Sequence, residues 1–144
     1  MMSISQKTDL MKRFLAALID GVVILIVFQI PALGPWLALA YLLFRDGLDF
    51  EYLRHRSLGK HFMQLKPLTI EGGELDLLLS AKRNWTLAVG MVVGVLRLAP
   101  FLAWLLSLAA IAIWVYEVFL VITDEEGRRW GDKMAGTQVV EVNE

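Results

Sequence analysis

Lys12-Arg13-Phe14-Leu15-Ala16-Ala17-Leu18-Ile19-Asp20 opens the first apolar run of this chain. Two cations mark an edge, and seven residues after Arg13 a carboxylate stands in an otherwise apolar segment that continues to Ile30. A carboxylate at membrane depth costs several kcal/mol unless it finds a partner, so such acids face a bundle interior, a second charge or a water-filled path. Arg13 and Asp20 are two helical turns apart on one face, separated by roughly 10 Å along the axis. That is too far for direct contact, so each must find its partner elsewhere. The small residues Ala16, Ala17 and Gly21 beside Asp20 leave room for close packing.

Working outward, the run from Phe14 to Ile30 has 17 residues, the lower limit for a spanning helix. The uncharged Gln29-Ile30-Pro31-Ala32-Leu33-Gly34-Pro35 breaks it, and a second run of 14 residues reaches Phe44. This predicts a tight helical hairpin with Trp36 near the outer interface, short enough to require local bilayer thinning or tilt. A re-entrant hairpin is the competing reading. Trp85 to Ile122 is 38 residues, about 57 Å if one helix, so it must break, and Arg97-Leu98-Ala99-Pro100 is the natural place. Spans are therefore expected at 14–30, 31–44, 85–99 and 101–122. They leave a polar loop at 45–84 and a tail at 123–144.

The distribution of Lys and Arg supports that count. Three lie in the N-terminal segment, none in the first hairpin, seven in the central loop, one in the second hairpin and three in the tail. Positive-inside then puts both termini and the central loop in the cytoplasm, which requires an even number of spans. The expected fold is an all-α membrane protein of four transmembrane helices in two hairpins, N-in and C-in, with a small cytoplasmic platform. The platform is expected to hold short β-strands near 63–65, 68–70 and 137–142 and an interfacial helix beginning near Leu75. Pro67 would confine its strand to an edge or a bulge, and Leu75 to Leu77 reads equally well as strand or as helix.

Composition agrees with the class. The chain is 57% hydrophobic, above the 45–50% or so of soluble domains. Its net charge of -1 gives no reason to expect nucleic acid. The absence of cysteine removes disulfide and thiolate chemistry, and two histidines in a basic loop make a poor start for zinc. No cofactor or metal is expected. Ser57, Ser80 and Ser107 have no His or acid at a suggestive spacing, and Gly59-Lys60 lacks the preceding loop of a phosphate-binding motif, so no enzyme is expected.

The second hairpin carries Gly90-Met91-Val92-Val93-Gly94, whose GxxxG spacing lets helices approach closely and makes Gly90 and Gly94 candidates for a helix or homo-oligomer interface. The fourth run carries Glu117. By rise, Asp20 and Glu117 lie at similar depths, each roughly 10 Å inside the nearest charged residue at the cytoplasmic edge. They are the candidate acids of an ion or proton path, or else Glu117 snorkels to the interface and never meets Asp20.

In the tail, Gly127-Arg128-Arg129-Trp130-Gly131-Asp132-Lys133-Met134-Ala135-Gly136-Thr137-Gln138-Val139-Val140 resembles the closing motif of the RDD family of small membrane proteins. Arg13, Asp20 and Asp132 stand where that family has its namesake arginine and two aspartates. Arg56-Ser57-Leu58-Gly59-Lys60 resembles its Gly-Lys stretch, and Ser80 to Asn84 resembles its Ser-x-x-Arg-Asn entry to the next helix. Arg129 lies inside the closing motif. His61 after Gly-Lys and Leu65-Lys66-Pro67 in the strand depart from the pattern.

The bacterial-looking architecture points to the cytoplasmic (inner) membrane, and the resemblance implies, thinly, transport of ions or small ligands, with cation/proton exchange among some members. Two functions follow as expectations, the first preferred on the resemblance and the second kept as its alternative. One is proton-coupled transport of an ion or small solute through Asp20, with a homo-oligomer supplying the volume that four short helices lack. The other is a non-catalytic accessory or scaffold protein whose platform recruits a cytoplasmic partner. Besides a protein partner or a second copy, the lipid bilayer is the expected surroundings. Arg13 and Asp132 at one membrane face are expected to form a bidentate pair. Pairing of the tail strand would bring Asp132, Lys60 and Arg13 into one neighbourhood.

Overall fold

A computed structural model describes residues 7–96 and 99–142. The chain is mostly helical, with helices α1 (Leu10–Phe28), α2 (Gly34–Phe44), α3 (Leu58–Phe62), α4 (Leu77–Val95), α5 (Pro100–Thr123) and α6 (Trp130–Ala135). Strands β1 (Leu65–Thr69) and β2 (Thr137–Glu141) form a two-stranded sheet.

Helix α1 starts four residues before the expected span, because the Asp9 side chain caps it by accepting from Met11 N at 2.8 Å. It ends ahead of Pro31, and the chain reverses with Ala32 in the left-handed region at φ +63°. Gly34 closes the reversal against α1, since a Cβ there would lie 2.5 Å from the Val27 carbonyl oxygen. Helix α2 follows with 11 residues, about 16 Å of rise, roughly half of a hydrocarbon core. Of the ambiguous Leu75–Leu77, Leu75 and Asp76 belong to neither helix nor strand, and helix α4 begins at Leu77. Asp76 caps it through Leu79 N at 2.7 Å, so the expected interfacial helix and third span are one helix that stops at Val95 rather than Ala99. Arg97, the expected break point, lies outside the described residues.

Among the described residues, α5 alone is long and apolar enough to cross a membrane. Helix α2 is apolar but short, α1 holds Lys12, Arg13 and Asp20, and α4 holds Lys82 and Arg83. Four spans do not follow from helix length and composition. The architecture established is the coarser one, a mostly helical chain with one candidate span and a small sheet.

The sheet is antiparallel, with Leu65 opposite Glu141, Pro67 opposite Val139 and Thr69 opposite Thr137. With only two strands both are edges, which is why Pro67 is tolerated within β1. The pairing covers 65–69, displaced from the 63–65 expected. No strand follows the turn at Gly72, because the next residues lead into the cap of α4. One face of the sheet presents Leu65 and Val139 to Ala16 of α1, while Leu68, Val140 and Val142 cluster on the other.

Burial is inverted relative to a water-soluble domain. Sixteen described polar or charged residues are buried against twelve apolar ones, and Glu117 is the single buried residue of α5. Large apolar side chains such as Phe101, Trp104, Ile111, Trp114 and Phe119 point outward from α5.

Candidate functional site: a buried chain of charges

The site begins with a close approach between two helices. A Cβ on Gly59 would lie 2.0 Å from the Ala16 carbonyl oxygen, so only glycine lets α3 rest on α1. One turn along α1 from Ala16, Asp20 faces the start of α3 and is 2% exposed. Its Oδ1 accepts from Gly59 N at 2.8 Å and from the Tyr41 hydroxyl at 3.1 Å. Its Oδ2 accepts from the Ser57 hydroxyl at 2.6 Å and faces Arg45 Nη1 at 3.0 Å. The four contacts come from α2, from Arg45 just beyond it, and from the start of α3. In all of them the carboxylate is the acceptor, the role an ionised acid fills. The basic partner that the local sequence lacks arrives from 25 positions away.

Lys60, next to Gly59, turns to Asp46. Its Nζ lies 2.6 Å from Asp46 Oδ1 and 3.4 Å from Ser57 Oγ. Asp46 is fully buried and also accepts from Asn84 Nδ2 at 3.3 Å, with Arg83 Nε at 3.7 Å. Burial alone would raise the Asp46 carboxyl, but the ammonium of Lys60 and the guanidinium groups of Arg83 and Arg45 outweigh it and hold it far below the usual range. Burial pulls the Lys60 ammonium down to about 8, against the opposing pull of Asp46.

Arg83 carries the chain of charges onward. Its Nη2 lies 2.8 Å from Asp132 Oδ1, and both side chains are essentially out of solvent. Asp132 also meets Arg129 Nε at 3.3 Å and Arg13 Nη2 at 3.4 Å. Desolvation pushes the Asp132 carboxyl upward, and the three arginines, Arg83 first, hold it down at about 2. The expected bidentate pair is therefore corrected. Arg13 gives Asp132 one arm and the Gly127 carbonyl the other, because Asp132 is shared among three arginines. Arg129 Nη2 donates to Asn84 Oδ1 at 2.6 Å, which ties the tail to α4. Lys60, Asp132 and Arg13 do share a neighbourhood, joined through Asp46 and Arg83.

Glu117 is a separate centre. Its Oε2 accepts from Trp130 N at 2.7 Å, while its Oε1 accepts from Gly131 N at 3.3 Å and from the Thr86 hydroxyl. Two of these donors are the first N–H groups of α6, which have no partner within their own helix. Glu117 thus caps α6 from α5. Gly131 lets α6 rest on α4, since a Cβ there would lie 2.0 Å from the Arg83 carbonyl oxygen. Trp130 stacks edge-on with Trp85 at 5.9 Å and with Tyr116 at 6.1 Å beside this cap.

Asp20 and Glu117 have different partners, and no hydrogen bond or ion pair among the described residues joins them. Two open apolar grooves of about 350 and 370 Å³ run along α4, and neither is lined by Asp20 or Glu117. Gly90 and Gly94 line the groove between α1 and α4. A Cβ on Gly90 would meet the Ala110 methyl at 3.4 Å, whereas one on Gly94 would meet nothing within 4 Å. Among the described residues no group of His, Asp or Glu is arranged to hold a metal ion.

Sequence reasoning missed Tyr41, Arg45 and Asp46, and it singled out Arg83 and Asn84 through the motif resemblance without placing them in the network. Two signals were present. Arg45-Asp46 closes an apolar run with a cation and an anion together, and Arg83-Asn84 puts two polar residues at the start of another.

No family model, curated protein or solved structure matches this chain.

Proposed function

We propose that the chain is a non-catalytic accessory or scaffold protein of a membrane, in which buried charges fix a platform for a cytoplasmic partner. The observation that carries this reading is the state of Asp20. A transport acid must exchange its ligand, and Asp20 is 2% exposed, with four donors from three segments of its own chain. The other candidate acid, Glu117, is likewise committed to holding α6. The outward apolar surface of α5 supports a membrane setting, because an exposed patch of that extent is a liability in water.

The finer parts of the reading rest on sequence. They are RDD membership through Arg13, Asp20 and Asp132, four spans with both termini cytoplasmic, and the bacterial cytoplasmic membrane. An oligomer through Gly90 and Gly94 belongs with them. Positive-inside charge and the motif resemblance support these statements. Local thinning around the short α2 would let the first hairpin span.

Proton-coupled transport is the second reading. Its supporting observation is the run of buried charges from Asp20 through Lys60, Asp46 and Arg83 to Asp132. Proton-coupled cation flux in proteoliposomes, measured for the wild type and Asp20→Asn, tests the choice. The scaffold reading expects no flux from either protein. Flux in the wild type that disappears in a folded Asp20→Asn variant would replace it with transport.

A further inference from the structure

Lys82 stands apart from the other lysines. Lys12, Lys60, Lys66 and Lys133 each pair with a carboxylate, and Lys7 donates to the Ile122 carbonyl. Lys82 is exposed and has neither a hydrogen bond nor an ion pair among the described residues. It sits in the second turn of α4, with the buried Ser80 and Arg83 on the opposite face. A lysine exposed to water needs no partner, so what matters is what lies beside it.

From Lys82 the same face of α4 runs on through Trp85, Val89, Val92 and Leu96, at alternating steps of three and four residues. These four form the floor of the larger apolar groove, about 370 Å³, with Leu43 of α2 and Leu106 of α5 at its sides. Every side chain lining it is apolar. From Trp85 to Leu96 the helix rises roughly 16 Å, about half of a hydrocarbon core and so the depth of one leaflet. At the Lys82 end Trp85 meets Trp130, which meets Tyr116. Such residues collect where hydrocarbon gives way to headgroups. The groove on the opposite face, lined by Leu87, Gly90 and Gly94, has no such cation, since Arg83, one turn before Leu87, is committed to Asp132.

We infer that the groove between α2 and α5 is a site for one anionic phospholipid, with an acyl chain along α4 from Trp85 to Leu96 and the headgroup phosphate on the Lys82 ammonium. The lining answers the chain and the uncommitted cation answers the phosphate. A second copy of this chain does not answer both. The acids within its apolar helices α1 and α5, Asp20 and Glu117, are buried in their own protomer, so packing either helix here would leave Lys82 without a counter-charge. The site rests on the membrane setting proposed above and serves a scaffold or a transporter alike.

The test is native mass spectrometry of the detergent-solubilised full chain with phosphatidylglycerol, beside phosphatidylcholine of the same acyl chains. One phosphatidylglycerol per chain should stay bound in preference to phosphatidylcholine. Lys82→Gln should weaken its binding about fivefold, the effect of one lysine near an anionic membrane surface, and erase the preference. Lys12→Gln removes a surface charge on α1 and should change neither. Val92→Trp fills the open groove and should lower retention of both lipids, with circular dichroism reporting its fold. Lys82→Gln alters only an exposed side chain, so it decides the question even where Val92→Trp does not fold. Equal retention of both lipids by the wild type, binding that Lys82→Gln leaves unchanged, or displacement by soluble glycerol phosphate overturns the site. A lipid-free dimer that Val92→Trp breaks would give the groove to a second copy and overturn it too. Recovery of the chain from a lysate without detergent or membranes would instead remove the membrane setting itself.

Discussion

Arg83 and Asp132 meet at 2.8 Å with side chains 1% and 0% exposed, and through this contact the start of α4 holds the C-terminal tail. Arg13 and Arg129 share the same carboxylate, so one buried negative charge serves three guanidinium groups from α1, α4 and the start of α6. Removing it leaves cations without a counter-charge, which costs about 3–5 kcal/mol for a buried pair. Asp132→Asn is expected to lower the unfolding midpoint of the detergent-solubilised protein sharply. Retention of wild-type stability would mean that the tail is held by other contacts.

Acid should weaken this lock. The three arginines hold the folded-state Asp132 at about 2, below the ordinary carboxylate value near 3.9. The contribution is therefore present above about pH 4 and lost as pH falls through 2. It amounts to about 2 kcal/mol from the size of that depression. Unfolding measured at descending pH should show the loss, and the Asp132→Asn profile should be flatter across the same window.

Lys60 predicts a second rise of stability with pH, at the alkaline end. Its folded-state value of about 8 lies below the ordinary lysine value near 10.4, so between these limits the unfolded chain binds the extra proton. Its contribution to stability rises with pH across that window. Lys60→Met should remove the rise, and an unchanged slope in that variant would assign the titration to another group.

Two glycines with contrasting surroundings test the packing. Gly59→Ala would put a methyl carbon 2.0 Å from the Ala16 carbonyl oxygen and force α3 away from α1. The expected cost is about 1–3 kcal/mol, as for other overpacked sites. Gly94→Ala meets nothing within 4 Å and should stabilise the protomer by up to about 1 kcal/mol through helix propensity. Oligomeric state measured on Gly94→Leu would then report whether this helix face meets a second copy, since an unchanged state would remove that interface.

Thr86→Val keeps side-chain volume while deleting a donor to Glu117. The expected cost is about 1–3 kcal/mol, the usual range for a polar group left short of a partner in the interior. The Trp130 indole beside the cap should report any loosening of α6 as a change in near-ultraviolet circular dichroism. A variant as stable as wild type, with an unchanged spectrum, would remove Thr86 from the cap.

The sequence by itself determined what is local. Apolar runs bounded by Pro31 and Pro100 fixed where helices stop and start, and the β-branched Thr137-Gln138-Val139-Val140 made the tail a strand, while the caps at Asp9 and Asp76 went unread and left the expected start of α1 four residues late. It also marked Asp20 as a group requiring a partner, because a carboxylate inside an apolar run is costly unpaired, whereas Lys60 and Asp132 stood out through the motif resemblance and Glu117 was left between a pathway acid and one that snorkels. What it could not determine is which partners they take. Arg13 appears paired with Asp132 alone until Arg83 and Arg129 are brought to the same carboxylate. Asp20 appears isolated until the close contact of Gly59 with Ala16 brings Ser57 to its side and the end of α2 brings Arg45. Pairings between residues 25 to more than 100 positions apart depend on how the helices cross. Only the tertiary structure decides that, because a charge is satisfied by whatever lies within about 3 Å of it, and sequence distance sets no limit on that.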